Sequence, residues 1–161
     1  SYESQVRLRL NKGLISFEDS KTNFLINEII ESLPFQEFCK TIVPAADPRT
    51  WLFKQRITKD EFSTVAGLLL FSDEPQAVLP KAAIKISRYR TSDQPTRATL
   101  EGQPDTVEGC ITSLIKTSVD KIVEIVERIP VMKDTGFKAV QYPRDAIHEI
   151  ITNAIIHRDY S

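Results

Sequence analysis

Apolar residues recur along the chain with two different periods, and the changes between them mark out the elements. From Ala146 to Ile155 the repeat is helical. At about 100° per residue, Ala146, Ile147, Ile150, Ile151, Ala154 and Ile155 gather on one side, and Asp145, His148, Glu149, Thr152 and Asn153 on the other. Pro143 can open this helix, because its fixed φ and missing N–H cost nothing in the first turn, and Asp145 follows where the helix dipole favours negative charge. A longer helix is expected to open at Asp105, with Glu108 three residues on. Its apolar stripe would be Val107, Ile111, Leu114, Ile115, Val119, Ile122, Val126 and Ile129, and Pro130 would end it. No functional groups cluster on its polar face, so it reads as scaffold.

Upstream, Asp19 or Ser20 can cap a helix carrying Phe24, Leu25, Ile26, Ile29, Ile30 and Leu33 and ending before Pro34. A second short helix, Phe35 to Ile42, would complete a helical hairpin. Its lone cation, Lys40, is too little for reading a DNA groove, so packing or a dimer contact is its expected role. The stretch from Val43 to Thr58, with Pro44, Pro48 and Trp51, reads as a linker or irregular loop and as the internal boundary. Thr64 to Phe71 is an apolar run whose alanine, glycine and leucines favour a helix, with Gly67 as a point of close backbone approach.

The period shortens to two in three places. Val6, Leu8 and Leu10 alternate with Arg7, Arg9 and Asn11, Ile84 and Ile86 alternate with Lys85 and Ser87, and residues 136–141 (GFKAVQ) alternate before Tyr142. Arg97 to Gly102 would return as the hairpin partner of the 84–86 strand. The expected fold class is therefore α+β. A small, mostly antiparallel sheet would pack against the long helix and the C-terminal helix, with a helical hairpin at the N-terminus.

Composition narrows the function. The chain has 161 residues, 41% of them hydrophobic, which is enough for a real core, and its net charge of −1 provides no global field toward nucleic acid or membrane. Contact with DNA must then come from a local patch or a neighbouring domain. Arg7, Arg9 and Lys12 read as phosphate contacts or as the wet face of a strand, and the basic strand with Lys85, Arg88 and Arg90 as a phosphate holder or as protection of a sheet edge, the second reading being favoured in each case. No apolar run is long enough to cross a bilayer and the first residues lack an apolar signal core, so a cytoplasmic location is expected. Cys39 and Cys110 stand alone at no metal spacing and read as reduced thiols. The glycines, at 13, 67, 102, 109 and 136, are too scattered for a phosphate loop, which removes a helicase motor.

Candidate chemistry concentrates on the last helix. Glu149 and Asn153 lie four residues apart, one turn along one face, and His157 continues the row. A carboxylate can take a proton from an attacking water, and an amide oxygen is a hard ligand suited to magnesium. The competing reading is a solvated helix face whose residues brace the helix end.

The run EIITNAIIHRDYS, Glu149 to Ser161, resembles the segment Glu-x-x-x-Asn-Ala-x-x-His-Arg-Asp-Tyr of a family of bacterial transcriptional regulators. The stretch STVAGLLLFSDEPQAVLPKAAIKISRYR, Ser63 to Arg90, is similar to an upstream block of the same family. These regulators join a Schlafen-type (AlbA-like) DNA-binding domain to a divergent ATPase domain of the gyrase, Hsp90, histidine-kinase and MutL class, and some carry the label "ATP-dependent DNA helicase RecG-related". The resemblance implies that Glu149 is the general base, Asn153 the magnesium ligand and His157 a further cofactor-binding residue, with ATP and magnesium as cofactors. Residues 1–58 read as an N-terminal helical segment and linker outside the resemblance, which implies that residues 59–161 begin a GHKL-like ATPase domain whose other motifs follow. The chain would then be a fragment that neither binds nor hydrolyses ATP well alone, with DNA held by a neighbouring domain outside it. The alternative is a non-catalytic interaction or dimerisation module of such a regulator, with a second copy as its partner. The His-Arg-Asp letters do not indicate a protein kinase, because no kinase glycine loop or Asp-Phe-Gly accompanies them.

Overall fold

The computed structural model describes Ser4 and residues 16–91, 93–133, 136–139 and 141–160, with the backbone alone at 131–133 and 137–139. The expected strand at Val6 to Leu10, with Arg7, Arg9 and Lys12, lies outside the described residues. The described chain is α+β, with three small antiparallel sheets among several helices. It divides into two compact units, residues 1–82 with 159–161, and residues 83–158. The boundary expected after Thr58 falls inside a strand, and the compact units part after Ala82 instead.

In the first unit, β1 (Lys21–Leu25) pairs antiparallel with β3 (Phe62–Thr64), which also pairs with β2 (Thr58–Lys59). This corrects the expected helix from residue 20. Phe24 reaches the core while Lys21, Asn23 and Leu25 stay exposed, an alternation that the apolar cluster Phe24-Leu25-Ile26 concealed. Helix α1 (Ile26–Glu31) starts at the strand's end, where the Glu28 carboxylate accepts from the Leu25 N–H at 2.8 Å. Ser32 then breaks the helical path with extended backbone, and its buried hydroxyl reaches the carbonyls of Ile29 at 2.6 Å and Phe71 at 2.5 Å. Helix α2 (Leu33–Ile42) follows with Pro34 in its first turn, where a missing N–H costs nothing.

The stretch expected to be a linker holds helix α3 (Pro48–Lys54). Asp47 caps it by accepting from the Thr50 N–H at 2.9 Å, and Pro48 occupies its first position. The helix delivers Leu52, fully buried, and Trp51 to the core. Phe35, Phe38, Trp51 and Phe71 form an aromatic cluster, with Phe35 and Phe71 edge to face at 5.1 Å between centroids. Helix α4 (Val65–Phe71) agrees with expectation and is capped by Thr64, whose hydroxyl accepts from the Gly67 N–H at 3.2 Å.

In the second unit, β4 (Ile84–Ile86) pairs antiparallel with β5 (Asp105–Val107), Ile84 opposite Val107. The expected partner, residues 97–102, instead forms a short 3-10 turn at Arg97–Thr99 and a single bridge from Leu100 to Tyr89. Strand β5 also displaces the expected start of the long helix: Gly109 has φ of +120°, and α5 runs from Ile111 to Glu127 with Cys110 at its cap. Pro130 does stop the helix, and it then begins β6 (Pro130–Lys133), which pairs with β7 (Gly136–Ala139), a hairpin of which only the second strand was expected. The final helix, α6 (Arg144–Ile156), packs on α5. Together they cover Val107 with Leu114, Val119, Ile147, Ile151 and Ile155, and Ile84 and Ile86 pack against this core.

Candidate functional site

Helix α6 carries Glu149 and Asn153 and leads into His157, so what holds it in place decides what they present. Its buried residues are Ile147, Ile151 and Ile155, each one turn after the last, a single row rather than the broad face expected. Ala146, Ile150 and Ala154 are exposed, Ile150 by 67%, because α5 contacts α6 along one seam. Both ends are tied. Arg144 in the first turn forms an ion pair with Asp120 of α5, and past the last turn the Arg158 guanidinium donates to the Ala83 carbonyl at 2.6 Å. Neither tie was legible in the sequence, since their partners lie 24 and 75 residues away.

Between these anchors the polar face is open. Glu149 and Asn153 are both exposed, and their side chains make no hydrogen bond or ion pair with the described residues. One helical turn separates them, about 6 Å along the axis. His148, on the same face, has its Nδ1 3.5 Å from the Thr152 hydroxyl, at the outer limit for a hydrogen bond. His157 is no longer in the helix. It is the C-cap, with φ of −94° and ψ of 12°, and its backbone N–H donates to the Asn153 carbonyl at 3.0 Å. Its exposed ring makes no bond with the described residues, so the expected row of three is two helical residues followed by a capping one. Arg158 turns to Ala83, and the block His157–Tyr160 is divided between the two units.

The donor set bears on the expected cofactor. Among the described residues, no group of three or more His, Cys, Asp and Glu side chains could hold a metal ion. The face offers a cation one carboxylate and one amide oxygen, which fits magnesium only as it is commonly held, with waters and substrate phosphates supplying the other positions. Cys39 and Cys110 are free thiols, and burial pushes the Cys39 thiol above its ordinary pKa, away from the nucleophilic thiolate.

Arg88 and Arg90 show a second arrangement. Both lie beyond β4, and both close on one carboxylate: Arg88 Nε is 2.7 Å from Glu101 Oε2, and an Arg90 terminal nitrogen is 2.6 Å from Glu101 Oε1. Sequence reading singled out the arginines and missed Glu101, which the turn at 97–99 brings back beside them.

Comparisons of the chain with models of known protein families, with curated proteins and with solved structures give no match. No helix among the described residues is long and apolar enough to cross a membrane.

Proposed function

We propose that this chain belongs to a cytoplasmic DNA-binding transcriptional regulator and carries the first motif of its divergent ATP-binding domain on α6. The observation that supports this reading is the pairing of a carboxylate and a carboxamide that make no bond with the described residues, on a helix face whose two ends are fixed. A face that only braced the fold would spend these groups on caps or ion pairs. Here the bracing is done by Arg144 and Arg158, and Glu149 and Asn153 are left for a ligand.

In this reading Asn153 offers its amide oxygen to magnesium, and Glu149 accepts a proton from the water that attacks the terminal phosphate. Bound magnesium supplies charge neutralisation at the phosphates. His157, the non-helical residue after the face, would meet phosphate oxygens in this reading. DNA contact in the regulator belongs to a neighbouring domain.

The test is calorimetric titration of magnesium with a non-hydrolysable ATP analogue into the parent polypeptide and its Asn153→Ala variant. Saturable binding that is weakened at least tenfold by the substitution supports the nucleotide site. Equal binding by both proteins, or none by either while both are folded, leaves the face to an interaction or dimerisation module.

A further inference from the structure

The chain is close to neutral overall, yet the charge of its second unit is unevenly distributed. From residue 83 to residue 100 there are four cations, Lys85, Arg88, Arg90 and Arg97, against the single acid Asp93, whereas acids outnumber cations along residues 101–127. Lys85 points outward from β4 between the core-facing Ile84 and Ile86, and Lys85 and Arg97 make no ion pair with the described residues.

Two of these cations are held in place. Glu101 has only 22% of its side chain exposed and spends one oxygen on each of Arg88 and Arg90, which are 44% and 76% exposed. One carboxylate cannot neutralise two guanidiniums, so the cluster keeps a net positive charge. Arg88 is held through Nε and Arg90 through one terminal nitrogen, leaving other N–H donors of both forks without a partner among the described residues. Sharing one carboxylate keeps the two guanidiniums side by side, while one strand of a duplex presents a phosphate about every 3.4 Å along its axis. The arrangement does not suit edge protection, since the arginines lie past β4 and face their own carboxylate.

We infer that Arg88 and Arg90, oriented by Glu101 and flanked by Lys85 and Arg97, form a landing surface for the phosphodiester backbone of duplex DNA, read without regard to base sequence. This goes beyond the proposed function, in which DNA is held by a domain outside the chain, and it does not depend on the nucleotide face.

The test uses the full chain and fluorescence anisotropy of a short labelled duplex between about 50 and about 200 mM salt. The wild type is expected to bind with a salt-dependent affinity. The double variant Arg88→Gln with Arg90→Gln should bind about tenfold more weakly at the lower salt, with the log–log salt slope reduced by about two. A control double variant, Lys116→Gln on α5 with Arg128→Gln at its C-cap, removes the same charge elsewhere in the unit and should stay within about twofold of wild type. If the glutamine pair fails to fold, Arg88→Lys with Arg90→Lys preserves the charge and should keep the slope while losing affinity through the lost forks. No saturable binding by the wild type overturns the inference, as does equal weakening by the two glutamine pairs. Tighter binding to anionic phospholipid vesicles than to duplex at equal salt would assign the patch to a membrane surface and overturn it as well.

Discussion

Gly67→Ala gives a sharp test of the first unit's packing, because two effects of opposite sign meet there. In an open helix the change stabilises by about 1 kcal/mol, since glycine carries the larger entropy cost of folding. At Gly67 the added Cβ would lie 2.4 Å from Ile57 Cγ2, 2.5 Å from Ser63 Oγ and 2.9 Å from the Ile57 carbonyl oxygen. Relaxed contacts between carbons lie near 3.5–4.0 Å, so something must move. The buried Ser63 hydroxyl can move only by giving up its 2.9 Å bond to the Thr64 carbonyl, and the Ile57 carbonyl is pinned. It accepts from the Thr64 N–H at 2.8 Å and from the Thr64 hydroxyl at 2.9 Å, and that hydroxyl in turn caps α4. Ile57 itself is a core residue.

Overpacking of a filled site costs about 1–3 kcal/mol, and a pinned backbone atom argues for the upper end. Subtracting the helix gain of about 1 kcal/mol leaves a net loss of about 2 kcal/mol. Trp51 is the only tryptophan and sits in the aromatic cluster, so urea unfolding followed by its fluorescence reports this unit. The midpoint should fall at unchanged slope, by about 1–2 M for a slope of 1–2 kcal/mol/M. Placing Gly67→Ala in a Ser63→Ala background should recover only part of the loss, since the Ile57 contacts remain. A midpoint that stays level or rises on Gly67→Ala would refute the close approach.

Thr64→Val should cost about 1–2 kcal/mol by removing the α4 cap and stranding the Gly67 N–H, whereas Thr64→Ser should recover most of it in the same fluorescence assay. Leu52→Ala should lower unfolding stability by about 2–5 kcal/mol, while a value near zero would mean that residues 43–58 are the loose linker that their prolines suggest. The hydrogen bond from Arg90, followed by the charges of Arg88 and Arg90, holds the Glu101 carboxyl below its ordinary pKa. Its contribution is therefore complete above the unfolded value of about 4.3 and is lost as pH falls through the lower folded value. The stability gap between wild type and Glu101→Gln, read by circular dichroism in urea, should be level from about pH 7 to about 5.5 and close in more acid solution, and a gap unchanged down to pH about 3 would contradict the clamp.

Local signals served well where an element's own residues settle its fate. Val65–Phe71 was legible from its residue types, Ala66 and three leucines, and Arg144–Ile156 from periodicity with an opening proline. Helix α3 was legible too, because Asp47-Pro48 is a cap followed by a first-turn proline, but the surrounding prolines suggested a loop. Gly109 was a similar signal, since its positive φ ends any helix beginning at Asp105. Pairing was the hidden part. Nothing in Phe24-Leu25-Ile26 favours a strand until Phe62–Thr64 lies beside it, and Ile84–Ile86 passes over the nearest candidate partner for Asp105–Val107. The candidate face was legible as a row of residue types, yet its isolation from the fold depended on Asp120 and Ala83, far away in sequence.

That isolation also determines how the proposed function can be tested. If Glu149 or Asn153 were structural, substituting either would weaken the second unit and any loss of ligand binding could be put down to unfolding. Both side chains are exposed and make no bond with the described residues, so each change should move stability by no more than about 0.5 kcal/mol. Ile147, Ile151 and Ile155 hold the helix on the core, and Arg144 and Arg158 fix its ends, without help from the polar row. A binding defect in Asn153→Ala at unchanged stability therefore has to arise at the ligand. If Asn153→Ala or Glu149→Gln instead lowers stability by more than about 1 kcal/mol, the row braces the fold and the case for a nucleotide site on α6 is lost.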